Sequence, residues 1–273
     1  MLTIYAPSNK PESKCWEVFN GIQANWTSKV KVADNTMPYY LNDDNDSMFW
    51  GLVNNNTNLI HQIEERGQTY WFTDTPYFGR FDNNNLRPDN HYWRLCKDNI
   101  HTTKVLDCDS DRFQKFKITT KDYNPGREYI LICPSSAGVN AYLGHNNWLE
   151  ETINVIKNHT DRPIKVRHKP RGRGTSGPAV ADIPLADDLK NAHCCVTSCS
   201  ISAIESLALG VPVICSARSF AAPIAETNLS NIEKPLYRDP TQWFNSLAYQ
   251  QFTPEEYNNG TAISILKNFK ILI

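Results

Sequence analysis

Thr197, Ser198 and Ser200 follow directly on the apolar run Cys194-Cys195-Val196, and the whole stretch from 194 to 215 carries one charge, Glu205. Hydroxyls at the end of a buried strand, where a helix begins, stand beside free backbone N–H groups and the positive end of a helix dipole. That combination suits an anion, phosphate above all. Helix capping is the plainer use: Ser200 or Ser202 can cap the helix, and Ser202 with Glu205 fits the S-x-x-E capping box. A second group of residues bears on the choice. From Lys157 to Arg173 there are seven Lys/Arg against one acid, and five of the seven lie between Lys165 and Arg173. Such a run usually marks a solvated basic loop. Here Arg167, His168, Lys169 and Arg171 leave a strand on the side where the hydroxyls lie, so cations and helix terminus are expected to converge on one diphosphate. Gly172, Gly174 and Gly177 leave the following loop free to close over a ligand.

These residues need elements to hold them, and the chain changes character near residue 125 to provide them. Beyond that point "EYILICPSS" reads as a buried strand, "WLEETINVIKNH" as a helix, and "PIKVRHKP" as a strand stopped by Pro170. "PLADDLKNA" follows as a short helix, "HCCVTS" as a strand, "SISAIESLALG" as a helix ending at Gly210, and "VPVICSA" as a strand. Alternation about every dozen residues is the signature of a parallel sheet with crossover helices. The fold class is therefore α/β and Rossmann-like, without a GxGxxG fingerprint. Ligands of such sheets bind beyond the carboxyl ends of the strands. Three segments end there: Ser135, Ser136 and Gly138 after one strand, Arg167 to Arg171 after the next, and Thr197 to Ser200 after the third.

Before residue 125 the strand-like pieces "MLTIYAP", "MFWGLV", "QTYWFTD" and "HYWRLC" are dense in aromatics, which a small aromatic core accounts for. Asp74 follows an aromatic strand and precedes a Pro turn, so it is expected either to act as a general base or to close an Asx-turn in "TDTPY". His61, His91 and His101 are weaker candidates for the base. The C-terminal "WFNSLAYQQFTPEEYNNGTAISILKNF" reads as two amphipathic helices, with Thr253 capping the second and Pro254 at its first position. Trp243, Leu247 and Tyr249 are expected to form their packing face. His193 beside Cys194 and Cys195 lacks C-x-x-C spacing and sits on an apolar strand, so core packing is expected there rather than zinc.

Composition excludes several classes. A length of 273 residues, 40% hydrophobic and 21% charged, is ordinary for a globular protein. A net charge of −1 advertises no nucleic-acid or membrane partner. No apolar run reaches the ~20 residues that span a bilayer, and "MLTIYAPSNKPESKCW" shows no signal-peptide pattern. Eight irregularly spaced cysteines read as reduced core thiols. The expected location is cytoplasmic, the host cytoplasm for a phage-encoded chain.

The run "TSCSISAIESLALGVPVI" resembles the donor-binding element of two-domain glycosyltransferases of the GT-B fold. In that family a glutamate on this helix contacts the ribose of a nucleotide sugar, and the resemblance assigns that role to Glu205. Ser198 and Ser200 resemble the serine motif of bacterial sialyl- and Kdo-type transferases, which contacts the donor phosphate. "RHKPR" is similar to their His-Pro element, with Lys169 inserted between His168 and Pro170. "YWFTDTPYFGR" and "SLAYQQFTPEEYNNGTA" resemble phage and bacterial proteins classed with glycosyltransferases.

The resemblance implies two Rossmann-like halves. Residues 1–125 would bind the acceptor and 126–273 the donor, with the last helices crossing back to the first half and chemistry in the cleft between. The expected reaction moves a sugar from a UDP- or CMP-type donor to an acceptor hydroxyl, without metal or other cofactor. "DCDSD" at 107–111 is the nearest thing to a metal-binding D-x-D and lies in a polar loop. Catalytic roles fall to Asp74 and His168. Tyr77, Arg80, Arg171 and Arg173 are expected to meet the acceptor, for which hydroxymethylated bases of phage DNA are one choice and surface polysaccharide another. A sugar-nucleotide epimerase and a non-catalytic nucleotide- or DNA-binding protein are the remaining alternatives.

Overall fold

The computed structural model describes residues 1–7, 10, 12–36, 44–79, 91–123, 127–168, 183–268 and 270–272. Arg80, Lys169, Arg171, Arg173 and the three loop glycines at 172, 174 and 177 lie outside the described residues. The chain divides into two compact units, one of residues 1–102, 106–116 and 245–272, the other of 103–105 and 117–244. No described helix is long and apolar enough to cross a membrane.

The first unit opens with β1 (Leu2–Ala6), α1 (Trp16–Asn25), β2 (Val30–Asp34), β3 (Asp46–Trp50), α2 (Asn56–Glu65) and β4 (Tyr70–Asp74), followed by β5 (Trp93–Lys97) and the single turn α3 (Asp111–Gln114). All five residues of β1 are buried, as expected of a strand covered on both faces. It pairs in parallel with β2 and β3, and β3 in parallel with β4. β5 then runs antiparallel to β4, with Asp74 opposite Arg94. The dense aromatics fill this core: Tyr5 stacks on Phe49 at 5.0 Å, and Trp50 meets Trp93 edge-on at 4.5 Å.

The second unit contains β6 (Tyr129–Ile132), α4 (Ala137–Tyr142), α5 (Trp148–Lys157), β7 (Ile164–Val166), α6 (Leu185–Leu189), β8 (Ala192–Thr197), α7 (Ser202–Ala208) and β9 (Val213–Cys215). Its sheet order is β7-β6-β8-β9, and every pairing is parallel. β8 is buried along its whole length, which its uncharged sequence permits. Gly210 ends α7 with φ +72°, and a Cβ there would lie 2.0 Å from the Asp122 carbonyl oxygen. Both backbone conformation and space therefore demand glycine.

The remaining chain forms α8 (Thr241–Ala248), β10 (Gln251–Phe252), α9 (Pro254–Asn258) and α10 (Thr261–Asn268). The expectation of two helices here is corrected. Gln251 and Phe252 pair antiparallel with Arg94 and Trp93, making β10 the last strand of the first unit's sheet. Gly260, at φ +82°, then separates α9 from α10. The cap at Thr253 does form: its hydroxyl accepts the Glu256 N–H and the Glu256 carboxylate accepts the Thr253 N–H, with Pro254 at the first helical position. Trp243 and Leu247 are buried. Seven of the eight cysteines are buried and all eight are free thiols.

α9 lies directly on α1. A Cβ on Gly21 would approach the Tyr257 carbonyl carbon to 2.5 Å, and Asn25 Nδ2 donates to the Tyr257 and Asn258 carbonyls at 3.2 and 2.8 Å. The obstacle is backbone, which cannot swing aside. Gly21→Ala is therefore expected to destabilise the first unit by about 1–3 kcal/mol despite alanine's better helix propensity. Chemical denaturation of the variant measures this, and an unchanged midpoint would refute the close approach.

Candidate functional site

The order β7-β6-β8 places a topological switch between β6 and β8, because the chain leaves β6 toward one neighbour and returns on the other side. The last ladder bond between these strands runs from the Cys133 N–H to the Val196 carbonyl at 2.8 Å. Beyond it the two chains diverge, and their hydroxyls fill the gap. Ser198 Oγ lies 2.7 Å from both Ser135 Oγ and Asn140 Oδ1, and Ser135 Oγ accepts the Cys199 N–H at 2.9 Å. Ser198 has one proton, and Asn140 Oδ1 can only accept. Ser198 therefore donates to Asn140, which leaves the Ser135 proton for Ser198 or for a ligand. Asn140 carried no sequence signal, since only the turn after β6 and one turn of α4 bring it here.

This network sorts the sequence candidates. Thr197 and Ser198 are wholly buried, so they support the site rather than face a ligand. Thr197 Oγ1 accepts the Ser200 N–H at 3.1 Å, and Ser200 Oγ accepts the Ser202 N–H at 3.3 Å. The Ser202–Glu205 capping box is absent, because Ser202 is the first residue of α7 and its Oγ is buried without a hydrogen-bond partner; Ser200 is the hydroxyl that takes an N–H at this helix end. Ser135 and Ser200 are half-buried, while Ser136, Gly138 and Glu205 are exposed. Ser136 caps α4, accepting the Val139 N–H at 3.3 Å. No atom lies within 4 Å of the position a Gly138 Cβ would take.

Arg167 continues β7, its N–H donating to the Ile132 carbonyl at 2.8 Å. Its guanidinium is held by the Asp188 carboxylate at 2.5 Å and the Ile183 carbonyl at 2.6 Å, and Lys165 Nζ reaches the other Asp188 oxygen at 2.5 Å. Burial raises the Asp188 carboxyl pKa, but the hydrogen bonds and charges of Lys165 and Arg167 outweigh it and hold the group below the usual carboxylate range. Glu205 shows the opposite balance. Desolvation raises its pKa although the residue is exposed, and the charge of Arg167 offsets part of the rise. His168 is half-buried next to Arg167 in the chain. The carboxyl edge of this sheet thus carries open hydroxyls, an oriented guanidinium and an exposed carboxylate. Such a set can hold a phosphate ester and accept hydrogen bonds from a diol.

In the first unit Asp74 ends β4. Its Oδ2 lies 3.2 Å from Arg94 Nη2, and its Oδ1 accepts the Thr75 N–H at 2.7 Å. Arg94 is 3% exposed and also donates to the Thr75 carbonyl at 2.6 Å, so the pair ties the end of β4 to β5. Tyr77 is corrected as an acceptor contact. It is 2% exposed, its N–H donates to Gln251 Oε1, and its hydroxyl accepts the Thr102 N–H, so its ring is core. His91 meets Glu17 at 2.6 Å. His101 is buried, and desolvation with the nearby Arg94 charge lowers its pKa, which keeps it neutral at pH 7. Among the described residues no group of three or more His, Cys, Asp or Glu side chains converges on a metal position.

No family model matches this chain, and no curated protein matches it. Among solved structures it is similar to Thermosulfurimonas dismutans KpsC, beta Kdo 2,4 transferase, with TM-score 0.47 and 12% identity over 90% of this chain and 89% of that one. It is also similar to Thermosulfurimonas dismutans KpsC, beta Kdo 2,7 transferase, with TM-score 0.45 and 11% identity over 98% of this chain and 99% of that one.

Asp188→Asn removes the anion that orients Arg167. At pH 7 the variant is expected to be less stable by about 1.5–3 kcal/mol, the range for hydrogen bonds to charged groups. Because the folded-state pKa of Asp188 is depressed, its contribution is present above the unfolded value of ~3.9 and lost as pH falls through the folded value. Unfolding curves of the two proteins should therefore converge on acidification below about pH 4. A gap independent of pH would exclude the ion pair as its source.

Proposed function

We propose that this chain is a GT-B-type glycosyltransferase that takes a nucleotide-sugar donor at the carboxyl edge of the β7-β6-β8-β9 sheet. The observation that carries the reading is the hydroxyl network Ser198–Ser135–Asn140 at the topological switch, with the exposed Glu205 on the following helix. In this reading Ser135, Ser136, Ser200 and the open backbone at Gly138 meet the donor phosphate. Thr197 and Ser198 brace them, and Arg167 with His168 faces the charge that develops on the leaving phosphate. Glu205 accepts the two ribose hydroxyls. Lys169, Arg171 and Arg173 are assigned to the same phosphate.

The first unit supplies the acceptor, and Asp74 is the proposed base. An acceptor on a saccharide is favoured over a DNA base. Tyr77, one of the residues expected to meet the acceptor, is in the core. Of the four described cations of the basic run, Lys165 and Arg167 share the Asp188 carboxylate and Arg162 pairs with Glu233, which leaves Lys157 as the one without an ion pair among the described residues. Duplex DNA would instead need several unpaired cations on its phosphates.

Nucleotide release from UDP- and CMP-sugars, with saccharide acceptors, with hydroxymethylated duplex DNA and with no acceptor, tests the reading. Release that requires a saccharide supports it. Release that requires DNA overturns the acceptor assignment, acceptor-independent turnover indicates epimerase or hydrolase action, and binding without turnover removes the enzyme.

Glu205→Ala is expected to weaken donor binding by roughly 1.5–3 kcal/mol. Since the ionised carboxylate is the acceptor and its pKa is raised, donor affinity of the native chain should decline on acidification at a pH above the ordinary Glu value of ~4.3. Glu205→Gln should lack that decline, and calorimetry across pH reads both. Asp74→Asn should leave donor affinity intact and slow transfer by ~10²–10⁴-fold. Full transfer by that variant would move the base to His168, His91 or His101.

A further inference from the structure

A cleft of about 650 Å³ opens between α4 and α5, with Ser135 and Asn140 in its lining. Its volume falls in the ~300–1,000 Å³ range of small-molecule sites. One wall is the half-buried ring of Trp148, with the aliphatic side chains of Leu149 and Ile153 beside it. The rest of the lining is dominated by amides: Asn140, Asn146, Asn147 and Asn154. Among the described residues, the side chains of Asn146, Asn147 and Asn154 make no hydrogen bond to protein, and neither does Trp148 Nε1. Asn140 spends its Oδ1 on Ser198, while its NH₂ group has no protein partner among the described residues. Among the described residues Glu150 is the one charged side chain in the lining, and no lysine or arginine contributes to it.

We infer that this cleft is a binding subsite for a neutral saccharide. An aromatic face matches the C–H surface of a pyranose, and amides, which both donate and accept, match hydroxyls that do the same. Among the described residues the lining holds no cation to compensate the desolvation of a sugar carboxylate or phosphate, and Glu150 would repel either. Ser135 belongs both to this lining and to the hydroxyl network. A sugar held here would therefore lie next to a phosphate bound at Ser135. Two sources share that chemistry, the sugar carried by the donor and the acceptor glycan. Saccharide binding stands by itself, whereas its part in transfer rests on the function proposed above.

The test measures binding of neutral oligosaccharides, uronic-acid oligosaccharides and free UMP or CMP to the full chain by calorimetry. Trp148→Ala, Trp148→Phe and Asn154→Ala are compared with the native protein. Neutral saccharides should bind more tightly than uronic ones. Trp148→Ala should weaken them about five- to tenfold, Trp148→Phe should restore part of the loss, and Asn154→Ala, at an exposed position, should weaken them with no effect on folding. Free nucleotide affinity should not change in any variant. A reduced affinity for nucleotide sugar with unchanged free nucleotide marks the donor's sugar as occupant, and a raised acceptor KM marks the acceptor. No saccharide binding by the native chain, or binding insensitive to both Trp148→Ala and Asn154→Ala, overturns the subsite. Absence of turnover with every nucleotide sugar would defeat the transferase reading alone, since saccharide binding is measured without it.

Discussion

The short contact between Ser198 and Ser135 closes the gap that opens when β6 and β8 part. At that point each chain leaves the sheet with unpaired backbone groups, and burying them without partners would cost several kcal/mol. The hydroxyls answer the need locally: Ser135 takes the Cys199 N–H, Thr197 takes the Ser200 N–H, and Asn140 anchors Ser198 from α4. The same bonds fix the start of α4, which carries Ser136 and Gly138, and the turn that carries Ser200. The end of the sheet and the proposed donor site would therefore rest on one set of atoms. The α4–α5 cleft inherits that rigidity through Ser135 and Asn140.

Three guanidinium groups, the buried Arg94 and Arg112 and the half-buried Arg167, are each spent on a carboxylate and on carbonyls. Arg94 holds Asp74 and the Thr75 carbonyl, and Arg112 holds Glu256 and the carbonyls of Ala248 and Gln251. Arg167 holds Asp188 and the Ile183 carbonyl. A charge taken from water is tolerable only when paired and hydrogen-bonded. Arg94 and Arg112 thus fasten strand ends and helix ends within the first unit. Arg167 differs in that its charge also acts on the exposed carboxylate of Glu205, offsetting part of the pKa rise that desolvation causes.

The parallel sheet of the second unit was legible because its strands are short, apolar and bounded by Pro, Gly and Ser, and because its helices alternate with them. The site segments at Ser135, Arg167 and Thr197 were legible for the same reason, since strand direction alone puts them at one edge. α1 was not: "WEVFNGIQAN" holds a glycine, two asparagines and a tryptophan, and its apolar face is complete only against α9. β10 escaped notice because two residues carry no period, and their pairing partners lie over 150 positions away.

The sequence by itself therefore determined which residues could do chemistry and the α/β class that gathers them, because hydrophobic period and turn residues are local properties. Tertiary structure decided where each of those residues sits and what it touches. Ser198 and Tyr77 read as ligand contacts, yet both are buried, since burial depends on what distant chain covers them. Asn140, Asp188 and Trp148 carried no signal and became the anchor, the counter-ion and the wall of a cleft. Their roles depend on distances set by packing, which no spacing along the chain records.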